Sequence, residues 1–185
     1  MTAMSWPSVF ASTRSRLIAA GAIGIVFILA WRALTPPAVS APKSIAGHPR
    51  HEQGYYFDLA ERVRTGAAED PRLGLTVAAA YGASSQPLPT FGVLQGVIKF
   101  GNGSEIVGGV LNGLASGGVA LGPRTGAPAG RHGGTFECGT ASLGADTGNF
   151  CVWWTNSVVG VALVAETDAA RAQELALAAR DATQR

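Results

Sequence analysis

Charge, lysine and cysteine are all scarce in this chain. Charged residues make up 14% of its 185 residues, below the usual quarter, and lysine occurs only at Lys43 and Lys99. The formal net charge is +2 and no basic cluster runs through the body, so nothing points to nucleic acid as a partner. With little charge and 25 glycines, solubility must come from a packed fold rather than from repulsion. Two cysteines, Cys138 and Cys151, leave room for one disulfide.

The motifs of common catalysts are missing too. No Gly-x-Ser-x-Gly elbow is present, and Ser104 before Glu105 fits a helix cap better than a nucleophile. Gly101-x-Gly103 lacks both a third glycine at the right spacing and a lysine, so the dinucleotide and P-loop fingerprints fail. His48 and His51 in HPRHE have no evident third ligand, and His132 lies in a glycine-rich stretch, so no metal or other cofactor is expected. No repeat or heptad stands out.

The one long apolar run is Leu17–Trp31, between Arg14/Arg16 and Arg32. Fifteen residues of helix span about 22 Å, and extension through Leu34 brings this to about 27 Å, near the roughly 30 Å of a hydrocarbon core. Trp31 suits an interfacial anchor, Arg32 can snorkel, and Pro36-Pro37 end the helix. The expected organisation is a short cytoplasmic tail (1–16), a transmembrane signal anchor (17–34), a linker (35–50) and an extracytoplasmic domain (51–185). Val39-Ser40-Ala41 offers the alternative of signal cleavage and secretion, with Pro42 then first in the mature chain. Flanking positive charge is nearly balanced; the short amino-terminal tail and the cysteine pair favour an outward carboxyl domain.

Within the domain, helical spacing of Tyr56, Leu59, Ala60 and Val63 predicts a first helix over 54–64, stopped by Gly66. Apolar runs at 73–81 and 90–100 predict strands. Ile106, Val107, Val110, Leu111 and Leu114 predict a helix over 105–114 capped by Ser104. Its three glycines require either close packing against the sheet or a loop in place of the helix. A connection over 117–134 follows, then strands at 135–143, 149–154 and 157–165 and a last helix over 168–182 capped by Thr167. Cys138 and Cys151 are nearly equidistant from the turn around 144–148, so an antiparallel hairpin sets them opposite each other within disulfide reach. The whole reads as an α+β fold: a transmembrane helix, then an antiparallel sheet covered by helices on one face, with one disulfide.

Gly133-Gly134-Thr135-Phe136-Glu137-Cys138-Gly139, Cys151-Val152-Trp153 and Gly160 resemble a family of small actinobacterial membrane-anchored or secreted proteins of unknown function. The likeness covers roughly residue 130 to the carboxyl end. It implies a disulfide-bearing extracytoplasmic α+β domain and no activity. Where the family has an Ala-Asp pair after the tryptophan, this chain has Trp154-Thr155.

The expected function is therefore a non-enzymatic, membrane-anchored domain binding a partner protein or an envelope component. Adjacent Trp153 and Trp154 point to opposite faces of a strand. Trp153 is assigned to the core; Trp154 either lies near a surface groove or is buried under the 117–134 loop. Trp154, Tyr55 and Tyr56 are the candidate partner contacts. Two alternatives stand beside this reading. One is a cell-wall enzyme using Glu137, Asp146 and His132; the other is a small-ligand domain with an apolar cavity beside Gly108 and Gly109.

Overall fold

A computed structural model of the chain describes residues 38–83 and 89–184, with Tyr55 and Tyr56 by backbone alone. The apolar run Leu17–Trp31 lies outside the described residues, among which no helix is long and apolar enough to cross a membrane.

The chain forms a small hairpin, β1 (Ser44–Ile45) and β2 (His48–Pro49), then α1 (Tyr55–Ala68), β3 (Leu73–Tyr81) and β4 (Phe91–Ile98). Next come α2 (Gly103–Ser116), β5 (Val119–Leu121), β6 (Thr125–Gly126) and a 3-10 turn (Gly130–His132). The long strands β7 (Thr135–Leu143), β8 (Asp146–Trp154) and β9 (Val158–Val164) lead into the last helix, α3 (Ala169–Thr183). Seven strands make one antiparallel sheet in the order β3-β4-β9-β8-β7-β5, with β6 also on β7. The β3–β4 pair thus docks on the free side of β9, and α2 carries the chain from β4 to β5 at the opposite edge.

Helices cover both faces of this sheet, where one face was expected. Alternation along β8 explains it. Cys151 and Trp153 join Phe136, Ala162 and Val164 against α3, while Phe150 and Val152 join Val159 and Val161 against Ile106 and Val107 of α2. Strand β9 is apolar on both sides because both sides are core. The α3 stripe of Ala172, Leu175, Ala176 and Ala179 is buried as its spacing requires; the alanines let the helix sit close to the strands.

Other boundaries shift for local reasons. The α1 helix runs through Gly66 to Ala68. The cap of α2 is Asn102, whose side chain accepts from Ser104 N at 3.0 Å, and the cap of α3 is Asp168, accepting from Arg171 N at 2.8 Å. Asn102 and Asp168 stand at the cap positions themselves, where a side-chain oxygen reaches the second or third amide of the helix. The β7–β8 turn is only Gly144-Ala145, with Gly144 at φ 61°, as a two-residue hairpin with glycine first demands. The described part of the stretch read as a linker, residues 38–50, is folded: Val39 bridges Gln184, Ile45 is buried, and Arg50 bridges Tyr81.

Candidate functional site

Cys138 and Cys151 are directly paired across β7 and β8, their Cα atoms 4.1 Å apart, and form a disulfide. Cys151 is fully buried beneath α3, so the bond staples the central hairpin into the core.

A cleft of about 240 Å³ lies where α1, the edge strand β3 and the β1–β2 end meet. It exists because α1 packs thinly. Ala60, Glu61, Arg64 and Ala67 are half-buried and no described side chain of α1 is buried, while Phe57, Leu59 and Val63 stay more than a third exposed. Arg50, His51, Glu61 and Arg64 line the cleft with Phe57 and Val77. Arg50 donates from one terminal nitrogen to Ala41 O at 2.7 Å and from the other to Glu52 Oε1 at 3.2 Å. Arg64 Nε donates to Glu61 Oε2 at 2.9 Å. Deeper in, the Tyr81 hydroxyl donates to Pro42 O at 3.1 Å, and burial pushes its pKa up to about 12 despite nearby Arg50. Tyr81 stacks on Phe91, whose other neighbour is His48, edge-on at 5.8 Å.

A second polar cluster sits at the end of α3. Arg180 is buried, with no carboxylate in hydrogen-bond contact among the described residues. It donates to Ala129 O at 2.7 Å and Gly133 O at 2.6 Å, tying the helix to the 3-10 turn; burial lowers its pKa. His132 Nε2 lies 3.3 Å from Asp181 Oδ1, within ion-pair range but outside hydrogen-bond geometry. Burial lowers the His132 pKa, Asp181 opposes that, and Arg180 and Arg131 add to it. Thr183 Oγ1 donates to buried Gln95 Oε1 at 2.6 Å, joining the helix to β4.

The groups named for catalysis do not converge. Glu137 pairs with Arg124 at 3.0 Å in mid-strand. Asp146 is exposed beside the hairpin turn, six residues along β7 or about 20 Å away, and His132 faces Asp181. Among the described residues no three His, Cys, Asp or Glu groups are placed to hold a metal ion. The cavity beneath α2, lined by Leu73, Leu94, Val107 and Val110, is about 10 Å³, at the limit for one water.

Trp153 is fully buried under α3, as assigned. Trp154 is half-buried on the α2 face, its Cβ and ring against Gly103 at the start of α2. Tyr55 and Tyr56 open α1, and their side chains lie outside the described residues. Sequence reasoning missed the cleft. Its only signal was the pairing of Arg50 and Arg64 with apolar Phe57, split between a supposed linker and a helix.

These features define a disulfide-stapled α+β domain with an edge cleft. No protein family, curated protein or solved structure matches the chain.

Proposed function

We propose that the chain is a single-pass membrane protein whose folded domain lies on the oxidising side and binds a partner protein or an envelope component without catalysis. The observation that carries this reading is the Cys138–Cys151 disulfide, since such bonds persist in extracytoplasmic compartments and are rare in the cytosol. Packing at residues 39–40 supports an uncleaved anchor: Val39 bridges Gln184 and Ser40 N donates to Thr183 O at 3.0 Å, contacts that cleavage after Ala41 would discard.

The thinly packed α1, with Phe57, Leu59 and Val63 exposed, is the surface this reading offers to a partner. Trp154 retains part of its surface but braces α2, so α1 takes precedence. The test has two readouts. Protease added to intact spheroplasts should digest the domain; protection until lysis contradicts the orientation. Photocrosslinkers at Leu59 or Val63 in living cells should give a defined adduct, whereas crosslinkers at Asp146 should not. Equal adducts from all three positions contradict a specific surface.

A further inference from the structure

Backbone direction along β3 shows where the sheet stays open. On β4, Thr90 O accepts from Ala165 N and Ile98 N donates to Ser157 O, so even-numbered residues turn their backbone groups toward β9. Odd-numbered Phe91, Val93 and Gln95 turn theirs toward their partners Tyr81, Ala79 and Val77 on β3. Thr76, Ala78 and Ala80 therefore point their amides and carbonyls away from the sheet. An outer row begins on that side: His51 N donates to Ala80 O at 2.9 Å, and Gly82 N to Pro49 O at 3.0 Å. It stops there. Among the described residues no hydrogen bond reaches the outward amide or carbonyl of Ala78, which lines the cleft of about 240 Å³ beside α1.

We infer that this cleft receives an extended, apolar peptide segment of the partner protein, added as an outer strand beside Ala78 in line with residues 49–51. The inference rests on the partner-binding reading above, and on neither the anchor nor its orientation. Unpaired main-chain groups that recur about 6.8 Å apart along a strand edge are matched by another extended backbone, and one residue opposite Ala78 closes two hydrogen bonds. Sheet edges are commonly blunted by lysine, proline or a bulge. The irregularity of β3 is confined to the stretch between Leu73 and Thr76, and Val77, Ala78 and Ala79 carry no such guard. Across the cleft, Ala60 of α1 presents only a methyl group. The guanidiniums are committed, Arg50 to Glu52 and Arg64 to Glu61, so a carboxylate on the peptide finds no unpaired arginine. Phe57 and Val77 offer an apolar wall instead.

The experiment uses the full chain in neutral detergent and the capped peptide acetyl-Val-Thr-Val-Thr-Val-amide, beside the same peptide N-methylated at its three central residues. Amide exchange is read residue by residue by NMR. The first peptide should slow exchange at Ala78 severalfold and leave Val77 and Ala79, already bonded to β4, unchanged; the N-methylated peptide should do neither. Ala78→Pro deletes the outward amide without touching the β4 ladder, so this variant should fold and no longer bind. If it does not fold, the N-methylated peptide decides alone. Main-chain recognition tolerates side-chain change, so no slowing at millimolar peptide overturns the inference, as does equal slowing by both peptides. Protection of Ala78 that grows with protein concentration in the absence of peptide, at twice the mass, assigns the edge to a second copy and also overturns it. Adducts from Leu59 and Val63 in cells without protection of Ala78 overturn the inference alone; neither adducts nor protection overturns the partner reading with it.

Discussion

The indole of Trp153 lies across the backbone of Gly160, its register partner on the neighbouring strand, in the space where any side chain would stand. Phe136 stacks beside the ring, with centroids 6.2 Å apart. Gly160→Ala would drive a methyl into the indole, and overpacking of this kind costs about 1–3 kcal/mol or more. Trp153→Phe in the same chain should relieve part of that cost. Urea unfolding of both single variants and the double variant checks it: a double variant less destabilised than the sum is expected, and simple additivity contradicts the contact.

The glycines of α2 behave oppositely. Nothing stands within 4 Å of a methyl built at Gly108 or Gly113, so neither is required by packing, contrary to what their number suggests in the sequence. Gly108→Ala and Gly113→Ala should each stabilise by up to about 1 kcal/mol. Gly103→Ala should destabilise, because its methyl would meet Trp154 Cβ at 2.9 Å. Thermal melts of the three variants decide, and equal effects would contradict the placement of α2.

Trp154 offered two readings in the sequence. Its place against Gly103 predicts that Trp154→Ala lowers stability by about 2 kcal/mol, less than the 3–5 of a fully buried ring. Denaturant midpoints measure this. A neutral substitution would return Trp154 to the surface.

His132 gives a pH test. Its folded-state pKa lies below the ordinary 6.5, chiefly through burial, so folding favours the neutral ring. The unfolded chain takes up the proton first. The stability contribution is therefore full above pH 6.5 and is lost as pH falls through 6.5 to the lower folded value. His132→Gln should lose less stability than the parent between about pH 7.5 and 5.5. Equal losses would contradict the burial.

Much of the fold was legible in the sequence because it is local. Strand limits at 73–81 and 135–143, the α3 stripe, and the opposition of Cys138 and Cys151 follow from periodicity and turn spacing. The two-sided sheet was less legible. The apolar run of β9 permitted burial on both faces, but only the crossing of α2 says which helix covers each. The cleft was hidden for a different reason: Arg50 and Arg64 are brought together by the Arg50–Tyr81 bridge and the packing of α1 on β3, neither of which has a sequence period.

The staple also has an energetic consequence. Joining residues 13 apart contributes about 3 kcal/mol in the loop-entropy account, so Cys138→Ser should lower Tm by roughly 6–12 °C. A shift under about 2 °C would contradict that contribution.

The most direct measurement is a thiol count on the full chain taken from intact cells, acid-quenched and alkylated under denaturing conditions. The account predicts no reactive thiol before reduction and two afterwards. Two reactive thiols without reductant would contradict it.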